Sequence, residues 1–167
     1  KKSIHILEIS SIQLERIHSL KPYVSCILNV TEDHLDRHDN FNNYLNQKIK
    51  ITKNHNEESF IVYNQDDANL KRILKDKINS YPYSLKNKNR FYINKNTIYC
   101  SKTNKKIINQ EQTNLIGKHN LSNILACIEI CRLFNISIKY IINSLLNFKP
   151  LNHRMEIVYK KDNFLII

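Results

Sequence analysis

The stretch Val24-Ser25-Cys26-Ile27-Leu28-Asn29-Val30-Thr31-Glu32-Asp33-His34-Leu35-Asp36-Arg37 decides the fold. It opens as a short apolar strand, Val24 to Val30, and turns polar where a strand should end. In parallel α/β sheets ligands sit beyond the carboxyl ends of the strands, so acids and a histidine at that point are placed for chemistry. Asp39 or Asn40 then caps a helix in which Phe41, Tyr44, Leu45, Lys48 and Ile49 recur at helical spacing. Lys48 falls on the same face as Tyr44 and Leu45 and points inward. A structural reading competes with a functional one, because a lysine can snorkel past apolar neighbours to a surface carboxylate.

Outward from this unit the strand-then-helix order repeats. On the amino-terminal side, Lys2 to Ile9 reads as a buried strand with Glu8 near its carboxyl end. A carboxylate there is costly to bury unless it is paired, bound to a metal or held at a helix N-terminus. Ser10 starts a helix, and Ser10-x-x-Gln13 has capping-box spacing; Leu14, Ile17 and Leu20 continue it to Lys21-Pro22. On the other side, Ser59 to Tyr63 reads as a third strand and Asp67 to Lys77 as its helix, with Asn64 and Asp67 serving as turn and N-cap. Alternation of this kind predicts an α/β fold with a mostly parallel sheet and flanking helices.

From Tyr81 the pattern changes. Phe91-Tyr92-Ile93 and Thr97-Ile98-Tyr99, split by Asn94-Lys95-Asn96, predict a hairpin, and Lys105 to Ile108 a third strand of a small antiparallel patch. Gly117-Lys118-His119-Asn120 leads into an amphipathic helix to about Phe134, with Leu121, Ile124, Leu125, Ile128 and Cys131 as its apolar set. Asn120 and Asn123, one turn apart at its start, can cap the helix or present amides to a ligand. Ser137 begins another helix. Lys149-Pro150 marks a boundary, and two short strands follow, Ile157 to Tyr159 and Phe164 to Ile167. Both ends of the chain fall in apolar strands, which reads as a piece cut from a longer protein.

Composition removes several function classes. At 167 residues, 41% hydrophobic, the chain is long enough for one globular core. No run approaches the roughly 20 apolar residues of a membrane helix, and no signal-peptide core follows Lys1-Lys2. The four cysteines lack C-x-x-C spacing; Cys127 and Cys131 read as small buried hydrophobes, and a reducing cytoplasm suits them. The net charge of +11 raises nucleic acid as a partner, but 20 of the 26 basic residues are lysines spread among Asn and Ile through every segment. That spread argues for compositional drift and against a nucleic-acid-binding domain. Gly117 is the single glycine, so neither G-x-x-x-x-G-K-[ST] nor G-x-G-x-x-G occurs in these residues.

Four motifs occur in order: Leu7-Glu8-Ile9-Ser10-Ser11-Ile12-Gln13-Leu14-Glu15, Asn29 to Arg37, Gly117-x-His119-Asn120-x-x-Asn123, and His153-Arg154-x-Glu156. In this they resemble the Mur ligases, and the Ser-Ser-x-Gln-Leu-Glu of the first motif is most like the branch that adds D-glutamate. The resemblance implies an ATP- and Mg2+-dependent amide-bond ligase of peptidoglycan precursor synthesis, cytoplasmic and monomeric when full length. Its partners would be UDP-N-acetylmuramoyl-L-alanine and D-glutamate, joined through an acyl phosphate, with no nucleic acid and no membrane insertion. Residues 1–149 would be a central ATPase domain whose P-loop lies upstream, and residues 150–167 the start of a C-terminal domain. Such a piece would be inactive alone; a non-catalytic remnant of a decayed ligase gene is the alternative.

The resemblance also implies roles. Glu8 and His34 match metal ligands, and Lys48 matches a lysine that carbon dioxide carbamylates, turning an ammonium into a two-oxygen anion that serves the metal site. His34 and Lys48 thereby carry the catalysis. Asn120, Asn123 and Arg154 match nucleotide contacts, and Ser10 matches a position on the substrate side. The segment between His34 and Tyr44 is about one residue shorter than the family pattern, with Asp39-Asn40 replacing a Pro-containing turn. Lys50 is therefore the alternative to Lys48, on another helical face.

Overall fold

A computed structural model describes residues 3–32, 35–150, 159–161 and 164–166. The chain divides into two compact units, one formed by residues 1–63 and 67–81 and the other by 64–66 and 82–167.

The first unit is built around the stretch that ends in Asn29 and Val30. Strand β1 (Val24–Ile27) pairs in parallel with β2 (Phe60–Asn64), Val24 opposite Phe60 and Ile27 opposite Tyr63. Strand β3 (Ser80–Tyr83) lies on the far side of β2. The Ile61 N–H donates to the Asn79 carbonyl and the Gln65 N–H to the Tyr83 carbonyl, so donor and acceptor advance together as parallel strands require. Between β1 and β2 come α2 (Leu35–His38) and α3 (Phe41–Ile49), then a 3-10 turn (Lys50–Thr52). Helix α4 (Ala68–Leu74) connects β2 to β3.

The starts of α1 (Ser11–Glu15), α3 and α4 each have a side-chain acceptor for an orphan amide. Ser10 and Gln13 form the expected capping box of α1, Asn40 accepts from the Asn43 N–H, and Asp67 accepts from Asn69 and Leu70. A core cluster gathers Ile27, Val30, Tyr44, Leu45, Ile61, Tyr63, Leu70 and Leu74. Burying each aliphatic member contributes about 1.5–3 kcal/mol.

The second unit contains the antiparallel sheet β4 (Phe91–Asn94), β5 (Thr97–Cys100) and β6 (Lys106–Asn109). Lys95 and Asn96 join β4 to β5, both left-handed with φ of 46° and 59°, which matches a two-residue hairpin turn of the primed type. Helix α5 (Gly117–Leu133) buries Leu121, Ile124, Leu125 and Ile128, and α6 (Ile138–Asn147) buries Ile141 and Leu145. Asn135, with φ 57°, closes α5: its N–H reaches the Arg132 carbonyl and the Ile136 N–H the Cys131 carbonyl, a Schellman arrangement. Strands β7 (Tyr159–Lys161) and β8 (Phe164–Ile166) pair antiparallel, as the sequence predicts for this region. No helix of the described residues is long and apolar enough to cross a membrane.

Three expectations are corrected. Residues 3–9 form neither strand nor helix, and Ile4, Ile6 and Leu7 are exposed, Ile6 at 92%. Alternating apolar residues mark a segment able to pair, but a strand also needs a neighbour for its amides, and among the described residues none runs beside it. Helix α1 stops at Glu15, short of Ile17 and Leu20. Cys127 is exposed and Cys131 half-buried, so neither is a core residue; Cys127 hydrogen-bonds to Cys131, which brings the Cys131 thiol down to about 7 against the opposing effect of burial.

Candidate active site

The first unit brings Lys48 to the carboxyl end of β1. Three residues past that strand, Val30 turns back into the core, and its N–H donates to Asp67 Oδ2 at 2.8 Å. Asp67 therefore ties the strand end to the start of α4 as well as capping that helix, a second task its sequence position does not reveal. Asn29, between the strand and this anchor, leaves its carbonyl for Lys48, whose Nζ donates to it at 3.4 Å. One turn earlier on α3, Tyr44 places its ring 5.1 Å from the same ammonium. Tyr44 is 3% exposed, so Lys48 crosses an aromatic surface to reach the strand end, and among the described residues no carboxylate pairs with it. Lys50, the alternative, is exposed at the end of α3, where its charge contributes to lowering the Glu15 carboxyl.

Behind Tyr44 lies a buried polar pair that sequence reasoning missed. The His38 ring is tilted against Tyr44 at 5.4 Å, and its Nε2 shares a 3.0 Å hydrogen bond with Ser11 Oγ. Both Ser11 and His38 are 4% exposed. His38 Nδ1 is 3.7 Å from Glu15 Oε1, and Arg37 donates to the other Glu15 oxygen at 3.0 Å, which is the main reason that carboxyl lies below its usual range. The set resembles a serine–histidine–acid relay, but burial of the hydroxyl leaves no room for a substrate. Its consequence is structural: it ties α1 to α2 and supports the ring under Lys48.

The other expected residues stand as follows. Glu8 is exposed in the irregular segment before α1, and the Ser10 hydroxyl accepts the Gln13 N–H at 3.3 Å. Asn120, half-buried in the first turn of α5, donates from Nδ2 to the Ile116 carbonyl at 2.8 Å, leaving Oδ1 to accept from a ligand. Asn123 lies half-buried one turn further along the same helix. His34 and Arg154 lie outside the described residues. Among the described residues no three His, Cys, Asp or Glu side chains cluster as a metal site.

Comparison with known proteins bears on what such a strand end belongs to. The family described as the Mur ligase middle domain matches residues 1–131. The UDP-N-acetylmuramoylalanine--D-glutamate ligase of Caldanaerobacter subterraneus subsp. tengcongensis is 40% identical over 158 residues, covering 92% of this chain and 34% of that protein. The ligase of the same name from Clostridioides difficile (strain 630) is 37% identical over 172 residues, covering 100% of this chain and 38% of its own length. The chain thus spans about a third of the length of the curated relatives it matches. Among solved structures, the MurF ligase from Thermotoga maritima in complex with ADP superposes with a TM-score of 0.65 at 18% identity, over 92% of this chain and 36% of that one. MurF from Acinetobacter baumannii gives 0.62 at 14%, over 93% and 34%. These two likenesses are of fold. The family match takes in 131 of the 167 residues, including Lys48 at its strand end and both asparagines of α5, and the chain belongs to the Mur ligase family.

Proposed function

We propose that this chain is the nucleotide-handling part of an ATP-dependent ligase that joins D-glutamate to UDP-N-acetylmuramoyl-L-alanine. The observation that carries the reading is the position of Lys48 Nζ on the Asn29 carbonyl, at the strand end where α/β sheets hold ligands. The name shared by the curated relatives supports the choice of D-glutamate and of the uridine-linked acceptor. On this reading residues 1–149 belong to the central ATPase domain and residues 150–167 begin the next.

In the reaction the acceptor's carboxylate takes the terminal phosphoryl group of ATP, ADP leaves, and the D-glutamate amine displaces phosphate from the acyl carbon. The residues of this chain hold and orient. Asn120, its Nδ2 fixed to the helix, offers Oδ1 to the adenine amino group. Asn123 extends that edge, Arg154 offers a fork to ribose or phosphate oxygens, and Ser10 lines the acceptor side.

Magnesium, when bound, neutralises charge on the phosphoryl oxygens. The donors fit that ion under one condition. Glu8 supplies a hard carboxylate oxygen and His34 an imidazole, but an ammonium at Lys48 repels a cation. Carbamylated on the same nitrogen, Lys48 would present two oxygens that share one negative charge, and the set would suit the ion.

The test uses the full-length protein and measures ADP release with both substrates. Lys48→Ala should lower turnover by about 100-fold or more, the scale of losing a charge-stabilising group. Formate or acetate, filling the vacated space, should restore part of it, and Lys50→Ala should change little. Full activity of Lys48→Ala, or loss and rescue in Lys50→Ala instead, would reject the assignment.

A further inference from the structure

The lysines and arginines are spread over both units, but one stretch of the second unit has no acids to balance them. Residues 82–110 hold seven Lys and Arg and no Asp or Glu. Arg90 is paired with Glu129, while Lys86, Lys88, Lys95, Lys102, Lys105 and Lys106 are all exposed. The antiparallel sheet has two unlike faces. Phe91, Ile98 and Ile108 are buried on one side. On the other, Tyr92 and Tyr99 are cross-strand partners with rings stacked 5.4 Å apart at 19°. Lys106 is the β6 partner of Tyr99, and Lys88 Nζ sits 4.5 Å from the centre of the Tyr92 ring. Cations therefore flank a tyrosine pair on both sides. Beside Tyr92 is an open hollow of about 340 Å3 bordered by Lys86, Lys88, Asn87 and Asn94.

We propose that this face binds single-stranded RNA, independently of the ligase reaction. Backbone phosphates meet the lysines, a base stacks on the Tyr99 face turned away from Tyr92, and the asparagine amides meet base edges and 2′-hydroxyls. Cations on both sides of the rings call for anions on both sides of the stacked base, which a polymer supplies and a single mononucleotide phosphate does not. An anionic membrane is the poorer partner, because among the described residues the exposed large apolar side chains lie outside residues 82–110, leaving no wedge to enter lipid.

The test is fluorescence anisotropy of a labelled twelve-nucleotide oligouridylate with the full-length protein between 50 and 200 mM KCl. With Lys86, Lys88 and Lys106 engaged, the log–log salt slope should be about −2, a loss of roughly 20-fold over that range. Lys88→Glu with Lys106→Glu, both on exposed side chains that leave the fold intact, should weaken binding at least about 10-fold and flatten the slope. Tyr99→Leu, checked by thermal melting, should weaken it roughly 5-fold or more at unchanged slope. Ligase turnover of both variants should stay at the parent value. No binding at 50 mM KCl, equal affinity for inorganic polyphosphate with no effect of Tyr99→Leu, or preference for phosphatidylglycerol vesicles over RNA would each overturn the proposal.

Discussion

Ser11 and His38 show how much of a site's precision comes from side chains that never meet a ligand. Their shared hydrogen bond is buried, so removing one partner leaves the other's polar atom dry. Ser11→Ala should therefore cost about 1–3 kcal/mol of unfolding free energy, read by urea denaturation, with an unchanged m-value. A cost within experimental error would mean that water replaces the hydroxyl. The inward direction of Lys48 was legible from its spacing to Tyr44 and Leu45, because helical periodicity alone sets which residues share a face. The carbonyl it meets was not, since Asn29 is 19 residues away and the meeting depends on how α3 packs on the strand end. The same limit hid Ser11 and His38, which are 27 residues apart; each alone reads as an ordinary polar residue.

Helix α5 shows the same division between local pattern and tertiary setting. Its apolar stripe predicted Leu121, Ile124, Leu125 and Ile128 correctly, yet Glu129 beside them is 1% exposed. Burial pushes the Glu129 carboxyl up to about 7, against the opposing pull of Arg90, whose guanidinium lies 3.4 Å away. The unfolded chain titrates near 4.5, so the stabilising contribution of the neutral form is complete below that pH. It is lost as pH rises from about 4.5 to about 7, on the order of 3 kcal/mol in all at roughly 1.4 kcal/mol per pH unit. Melting temperature should fall across that window, and Glu129→Gln should flatten the fall. An unaltered pH profile in the variant would place the charge in water. The segment 3–9 is the opposite case: it has strand character in sequence and no strand in the structure, because pairing is a property of two segments.

Across the whole molecule the alternation of strands and helices, the hairpin and the two long helices were legible, since caps and periodicity are local. Strand β3 was not: Tyr81-Pro82-Tyr83 carries few strand signals, and it becomes one by lying against β2. The placing of Lys88 and Lys106 beside the tyrosine pair was hidden for a related reason, as net charge carries no direction. Among the described residues, six non-glycine residues sit at positive φ: Asp39, Asn79, Lys95, Asn96, Asn104 and Asn135. Asparagine tolerates this region with little strain, whereas lysine bears the full cost of about 1–2 kcal/mol. Lys95→Gly should then raise unfolding free energy by roughly 0.5–1 kcal/mol, while Asn135→Gly should be near neutral because added unfolded-state freedom cancels the relief. Equal effects at the two sites would contradict this. Glycine swivels; asparagine, held to a narrower range of backbone angles, bends once and stays. These corners therefore act as welded elbows, and slow opening of either unit has to begin along its helices and strands, where hydrogen exchange would find it first.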